Sequence, residues 1–477
     1  MKRLNIARGF SSEELTLLIV LGGGSFLLMS NLSSINVALP HIRADFDATL
    51  SDVKWVAILG FIISASLTLL FGRVGDIYGR SRVYRTGVIV YTAGSLLCAL
   101  AVSLPMLLAL RVVMAVGMAM VIPLSGAILA AAAKPERRGQ LIGISASFAA
   151  AGQLMGPTIG GFILDAFSWR GIFLFNGGLG VLLCLAQFAL LRHTGDERRP
   201  GRLDVLGAVL MLVAFPSLLL GLSFGAAGAW RDTSTLAWLG LAGVGFLAFG
   251  VREARFSAPL ARFDLFKRLP FVVALTGVAV TAIALNPLTL FVPVYLQSVL
   301  ELSPFDVGLL MVSLPLATLV AGPLGGRLAD RYPPGLVAAA GLAVLAGAVL
   351  VYAQLSLTTP SIAVVAPLVL AGAGSAIARP ANQVVAYQSV TRDEYGTIAA
   401  MLNSAMMLAG TLGTTITVAV AESLADGADS ASFAAAQSRT FTLLLPLLAL
   451  GVAVSLVGGW RCREAAGPDL RPTPAAS

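Results

Sequence analysis

The chain has 477 residues, of which 57% are hydrophobic and 12% charged, and its mean hydropathy is +0.88. Soluble domains run at about 45–50% apolar and 25% charged, so a soluble globular fold is excluded and the chain reads as a polytopic membrane protein. The net charge of +8 is explained by where the basic residues fall, and no nucleic-acid partner is expected.

A helix needs about 20 apolar residues to cross a hydrocarbon core of roughly 30 Å. Fourteen such stretches follow one another at about 15–41, 55–72, 84–103, 105–131, 140–166, 171–191, 204–226, 235–251, 270–298, 304–326, 334–355, 361–388, 394–422 and 440–460. The prediction is an all-α fold with fourteen transmembrane helices and both termini on one side. Lys and Arg concentrate on the cytoplasmic side of a membrane protein. With the N-terminus inside, 26 of the 32 basic residues fall in interior segments, Arg379 and Arg392 among them. Arg43, Lys54, Arg170, Arg231 and Arg439 fall outside, and Arg111 is left within a span. Both termini are therefore expected in the cytoplasm. The first span follows a short basic leader without a small-x-small cleavage site, and is expected to be an anchor. Cys98, Cys184 and Cys462 form no spaced cluster, so no metal site or disulfide framework is expected.

The segment Gly72-Arg73-Val74-Gly75-Asp76-Ile77-Tyr78-Gly79-Arg80, read as a tight turn after the second span, recurs 254 residues later as Gly326-Arg327-Leu328-Ala329-Asp330-Arg331-Tyr332. Pro40 and Pro293 share an offset of 253, and Gly117, Pro123, Gly139 and Gly156 pair with Gly374, Pro380, Gly396 and Gly413 at 257. A parallel six-span repeat explains these offsets. Six-span units laid end to end would be offset by roughly 190 residues, so an insert separates them. The predicted organisation is 6+2+6: a six-helix bundle at 1–191, a two-helix insert at 192–268, a second six-helix bundle at 269–460 and a cytoplasmic tail at 461–477. Gly72, Asp76, Gly79, Arg80 and Asp330 are then candidate hinge residues, against the plainer reading of tight turns with ordinary positive-inside charge. In the second copy Pro333 and Pro334 replace the Gly-Arg pair, which makes it the weaker of the two.

Three further features stand out. Span one ends in Asn31-Leu32-Ser33-Ser34-Ile35-Asn36-Val37-Ala38-Leu39-Pro40. Arg111 carries a charge into span four, at a cost of at least ~2.5 kcal/mol on insertion scales. It would lie about 9 Å below the outer end of its span and Asn31 about 13 Å below the end of its own, so the two can meet. Arg111 is thus either a substrate contact or a structural strut. In span five Gly152, Gly156 and Gly160 lie four apart beside Pro157, forming a flat helix face into which another backbone can pack. Glycine inside a helix costs about 1 kcal/mol relative to alanine, so an aligned row points to a packing purpose, which a generic small-residue interface would also satisfy. Gln153, Asn286, Asn382, Gln383 and Asn403 are other polar groups within spans, each individually read as an interhelical hydrogen bond. Asn286 maps by the repeat onto Ser33, beside Asn31, and is the second-half candidate for a cavity.

Parallel six-helix repeats with substrate held between them characterise major facilitator transporters. Over essentially every span the chain resembles the fourteen-helix drug:proton antiporter branch of that family. The resemblance implies that Asp76 and Arg80 hold the two halves together on the cytoplasmic side in the outward-facing state. It also implies that the Gly152, Gly156, Pro157, Gly160 run packs the halves against each other and limits leak. Asn36 to Pro40 match that branch, but the aspartate it carries upstream is Asn31 here. Arg111 resembles the arginine of the span-four motif, with Met114 and Ala115 in place of Gln-Gly.

None of the 24 acidic residues falls in the middle of a span; Asp76, Asp165, Asp204, Asp330 and Glu422 lie at span ends. Three mechanisms stay open: protons carried at the membrane edge by Asp165 or Asp76, coupling lost to leave facilitated diffusion, or Arg111 carrying an anionic substrate. No GxxxxGK[ST] loop for ATP is present. The expectation is an alternating-access exporter of small hydrophobic or amphipathic compounds in the cytoplasmic membrane, monomeric, without cofactor, and with the proton as coupling ion. Asn31, Asn36, Arg111, Gln153 and Asn286 are its candidate substrate residues. An embedded enzyme would need a His, Cys or carboxylate cluster within the bundle. A non-transporting receptor would keep the fold without needing both hinge turns.

Overall fold

The computed structural model describes residues 11–190, 203–225, 230–256, 259–388, 390–424 and 430–465. Lys2, Arg3, Arg8 and Arg471, the basic run at 192–202 with His193, and the tail beyond residue 465 lie outside the described residues. Lipid offers no hydrogen bonds to a bare backbone, so a chain this apolar folds into helices, and every described element is helical. Those of eighteen residues or more are α1 (Gly23–Asp45), α2 (Leu50–Tyr78), α3 (Arg80–Cys98), α4 (Leu104–Ala132), α5 (Arg138–Ala166), α6 (Trp169–Leu190), α7 (Val205–Phe224), α8 (Thr233–Arg255), α9 (Leu269–Ser298), α10 (Ser313–Arg331), α11 (Pro334–Ala353), α12 (Val365–Gln388), α13 (Tyr395–Leu424) and α14 (Ser430–Ala465). A helical turn at Ser12–Leu17 and a π-helical turn at Leu18–Gly22 lead into α1, and Pro304–Met311 leads into α10.

By length and composition, twelve of these helical stretches can cross a membrane, among the described residues. The two that miss that standard are α3 and α5. The first turns of α3 carry Arg80, Arg82 and Arg85, and α5 is built largely of Gly, Ala and Ser with Gln140 and Gln153. Fourteen long helices are therefore present, but apolarity alone supports twelve spans. Large apolar side chains such as Phe162, Leu185 and Leu247 lie on the outside of the bundle, where lipid is their natural solvent.

The glycine-rich segment is not a turn over its whole length. Helix α2 runs on through Gly72, Gly75 and Asp76 to Tyr78, and the break is the single residue Gly79 at φ 100° and ψ 122°. That backbone is open to glycine and costly for a side chain, so α3 restarts at once with Arg80. In the second copy α10 ends at Arg331, and Pro334 opens α11 at a position where a missing N–H costs nothing. Gly72 is needed for close approach: a Cβ there would strike Ala400 and lie 2.7 Å from the Gly396 carbonyl of α13.

The packing repeats between the two halves. Helix α1 lies against α5, α2 and α3 against α4, and α3 against α6; likewise α9 lies against α13, α10 and α11 against α12, and α11 against α14. Contacts between the halves run through α5 with α10 and α2 with α13. Helices α7 and α8 pair with each other, and α7 rests on α2. At the α5–α10 crossing a Cβ on Gly139 would lie 2.6 Å from the Gly326 carbonyl, and one on Gly322 would lie 2.7 Å from the Gly143 carbonyl. Gly326→Val is expected to leave membrane insertion intact and to spread α5 from α10. Spin labels at Lys134 and Arg327 would report a longer distance, and an unchanged distance would show that backbone contact does not set this approach.

A reciprocal carboxylate latch and the cavity behind it

The first N–H groups of a helix have no partner within it, and a carboxylate placed there is favoured by hydrogen bonding and by the helix dipole. Asp76, at the end of α2, caps a helix of the other half. Its Oδ1 accepts from the Gly396 N–H at 3.0 Å, and its Oδ2 from the Thr397 N–H at 2.7 Å and the Thr397 hydroxyl at 2.8 Å. These are the second and third residues of α13. Arg80 donates to Asp76 Oδ1 through Nε at 2.8 Å and Nη2 at 2.6 Å, and Nη2 also reaches the Arg392 carbonyl at 2.6 Å. The Asp76 side chain is only 4% exposed, so these bonds are shielded from water and strong.

Asp330, at the end of α10, does the same in the opposite direction. Its Oδ1 accepts from the Gly139 N–H at 2.6 Å and its Oδ2 from the Gln140 N–H at 2.8 Å. These are the second and third residues of α5. Each half thus caps the fifth helix of the other, at equivalent atoms. Among the described residues the second cap has no arginine bonded to its carboxylate and no hydroxyl donor. Arg138 and Tyr395 open α5 and α13 and are themselves equivalent by the repeat. They meet, with the Arg138 guanidinium 5.4 Å from the Tyr395 ring centre, and Arg80 lies 5.8 Å from the same ring. Beside them Arg262, on the segment before α9, pairs with Glu394 and Asp264.

Arg111 and Asn31 do meet. The Arg111 side chain is 1% exposed; Nη1 donates to Asn31 Oδ1 at 3.0 Å and Nε to the Val56 carbonyl at 2.8 Å, and the guanidinium lies 6.0 Å from the Phe173 ring centre. These partners sit on α1, α2 and α6, all within the first bundle. Asn36, Gln153 and Asn286 are exposed on α1, α5 and α9, and Asn286 packs on Gly410 of α13. None of these five residues lines the cavity between the halves.

The glycine row of α5 meets a different neighbour from the one the resemblance implies. Gly152 packs on the Phe26 backbone, a Cβ on Gly156 would lie 2.7 Å from the Ser30 carbonyl, and one on Gly160 would lie 3.1 Å from Ser34 Cβ. The Ser34 hydroxyl donates to the Gly156 carbonyl at 2.9 Å. Gly152, Gly156 and Gly160 therefore dock α5 on α1 within one bundle, with Pro157 exposed between them. The contact of α5 with the other half uses Gly139 and Gly143. From Gly143 to Gly152 the helix makes about two and a half turns, which puts the two sets on opposite faces.

A cavity of about 130 Å³ lies between the halves, bounded by α1, α4, α5, α12 and α13. Its polar lining includes Ser25, Ser125, Ser145, Gln383, Tyr387, Asn403 and Arg379. Arg379 was grouped by sequence with the interior charges; it lies instead within α12 and faces this cavity. The signal that could have found it is its helical spacing with Gln383 and Tyr387. Another buried acid also escaped the sequence: Glu253 is 3% exposed near the end of α8, accepting from the Ala261 N–H at 2.9 Å. Nearby Asp204 caps α7 and pairs with Arg252 at 3.0 Å.

Two helical bundles joined through reciprocal caps, with a cavity between them, form the architecture of a membrane transporter. The chain belongs to the Major Facilitator Superfamily, whose sequence profile matches residues 21–414. It is thus a multi-pass membrane transporter of small molecules and not an enzyme. It is 31% identical over 403 residues to the uncharacterized transporter YebQ of Escherichia coli (strain K12), spanning 84% of this chain and 88% of YebQ. It is 29% identical over 401 residues to multidrug resistance protein Stp of Mycobacterium tuberculosis, spanning 84% of this chain and 74% of Stp. Among solved structures, the human organic anion transporter MFSD10 (TETRAN) shares the fold with a TM-score of 0.63 at 18% identity, over 93% of this chain and 97% of MFSD10.

A hydrogen bond to a charged group contributes about 1.5–3 kcal/mol. Asp76→Asn is expected to cost the closed latch about 2 kcal/mol and to slow transport by at least tenfold at matched membrane abundance. Asp330→Asn should slow it less. Undiminished transport by Asp76→Asn vesicles would make the cap a structural detail. Arg111→Ala strands the Asn31 and Val56 oxygens in a dry core and should lower stability by about 1–3 kcal/mol, seen as a fall in the melting temperature of the purified protein.

Proposed function

We propose that this chain is an alternating-access exporter of small hydrophobic or amphipathic compounds, working as a monomer in the cell membrane. In this reading all fourteen long helices cross the bilayer as six, a two-helix insert at 192–268, and six, with both termini in the cytoplasm. The observation that carries it is the pair of reciprocal caps. Each joins the two bundles at one end only, so breaking them frees that end while contacts elsewhere can persist, which is what a carrier that rocks about a central site requires. The caps lie at the end to which the basic segments were assigned, and on that orientation a latched chain is closed to the cytoplasm and opens outward. Both caps and the cavity are complete within a single chain, so no partner subunit is needed.

Export of drug-like compounds is supported by the similarity to Stp, whose name describes multidrug resistance. The resemblance to drug:proton antiporters favours the proton gradient as driving force, with Asp76 or Asp165 as the carrying group. A second reading, an uncoupled facilitator, is favoured by Asn31. The position where that branch carries an aspartate holds an amide already bonded to Arg111, and an amide does not titrate. Bulky permanent dications should be poor substrates, because no carboxylate lines the cavity among the described residues to offset their desolvation.

Counterflow in proteoliposomes, with and without a pH gradient, tests these readings. Neutral amphipathic compounds are expected to exchange, and a pH gradient should drive their accumulation if protons are coupled. Exchange indifferent to the gradient would select the uncoupled carrier, and strong potential-dependent export of a dication would contradict the charge argument. No exchange of any compound by folded protein would sink the proposal.

A further inference from the structure

Two arginines lie deep within the helical bundles, and they are treated in opposite ways. Arg111 is sealed in and its donors are used. Arg379 has no hydrogen bond and no ion pair among the described residues, and it is an exposed residue lining the central cavity. A cation facing a cavity without a counter-charge favours a ligand of the opposite sign. Arg379 is also the only charged residue lining the cavity among the described residues.

Its surroundings are arranged for a ligand of the opposite sign. Arg379, Gln383 and Tyr387 are spaced four apart on α12, which stacks them on one helix face, and all three line the cavity. The Tyr387 hydroxyl and the Gln383 side-chain oxygen are buried without a partner. Other polar groups of the lining already donate to their own helices: the Ser25 hydroxyl to the Leu21 carbonyl at 3.1 Å, the Ser125 hydroxyl to the Ile122 carbonyl at 3.1 Å, and the Asn403 amide to the Ala399 carbonyl at 2.8 Å. The donors of the lining without a hydrogen bond among the described residues are therefore the guanidinium, the Tyr387 phenol and the Ser145 hydroxyl, and a flip of the Gln383 amide would present its NH2. The rest of the lining is apolar, with Leu28, Met29, Val121, Ile122, Leu129 and Ile142.

We propose that this cavity is an anion site, and that the compounds it takes are amphipathic organic monoanions whose carboxylate or sulfonate is neutralised by Arg379, with Gln383 about one helical turn away beside it. A single cation matches a single negative charge, and the guanidinium fork presents two parallel N–H groups to two oxygens of such a head group. The apolar walls take the body of the molecule. The Tyr387 ring lies 4.6 Å, centre to centre, from Tyr395, the ring that Arg80 and Arg138 face at the latch. The helix face that carries Arg379 thus reaches the latch about two turns further on, through the Tyr387 and Tyr395 rings. The inference deepens the transport reading by naming its substrate class, and it moves the anion-binding role from Arg111 to Arg379.

The test uses two molecules of nearly the same shape, 2-naphthoate and its neutral amide, 2-naphthamide. Their binding to the purified full-length protein in nanodiscs of zwitterionic lipid is measured by calorimetry at neutral pH. Wild-type protein is expected to bind the acid at least tenfold more tightly than the amide. Arg379→Gln should abolish that preference with little change for the amide, and Arg379→Lys should keep part of it. Wild-type protein that binds both equally, or neither, overturns the proposal without need of any variant. So does an Arg379→Gln protein of normal melting temperature that keeps the preference. Arg379-dependent binding of the acid with no counterflow of any compound would remove the transport reading and leave the anion site standing. Counterflow of neutral compounds without preference for the acid would do the reverse.

Discussion

The closed arrangement of this protein rests on a problem every helix has: its first N–H groups point at nothing. At α13 and α5 the problem is solved from the other half of the molecule, by Asp76 and Asp330. A carboxylate can reach into a helix N-terminus only if the two backbones come close. That requirement explains the glycines at the crossings, Gly72 beside Gly396 and Gly326 beside Gly139. It also explains the sharpness of the break at Gly79, which lets Arg80 fold back on Asp76 within one turn. Cap and glycine contact form one device, to which the break at Gly79 adds Arg80 in the first copy.

The device is duplicated but not equal. Asp76 gathers Arg80 and the Thr397 hydroxyl in addition to the two backbone donors, whereas among the described residues Asp330 has the backbone donors alone. At the α5–α10 crossing, paired glycines bring the backbones into contact over two successive turns; at α2–α13, Ala400 faces Gly72. One interface is stronger in polar bonds and the other in backbone proximity. The two halves are thus joined by unlike contacts built on one plan, with Arg138 and Tyr395 meeting where the repeats come together.

Much of this was legible in the chain. Hydropathy located the helices, because a span must be apolar along its length, and the shared offsets of Gly and Pro exposed the repeat, because breakers and close-contact glycines tolerate little drift. Composition was a poorer guide at α3, whose first turns carry three arginines, and at α5, rich in Gly, Ala and Ser, which both fall short of the apolarity of the other spans. Periodicity identified the Gly152, Gly156, Gly160 face of α5, yet not which helix would lie on it. A flat face accepts any backbone, and the choice of α1 was made by the fold.

The chain by itself determined an all-helical membrane protein with a duplicated bundle, and it identified Asp76, Asp330 and the pairing of Arg111 with Asn31 as features to explain. These follow from local composition and spacing, which water and lipid read one helix at a time. Only the tertiary structure decided the partners. It set Asp76 on α13 and Asp330 on α5, turned Arg111 into a buried strut of one bundle, and left Arg379 facing the cavity between the halves without a counter-charge among the described residues. The reason is physical: the environment of a buried charge is supplied by residues far away in the sequence, so its role follows from what the fold brings to it.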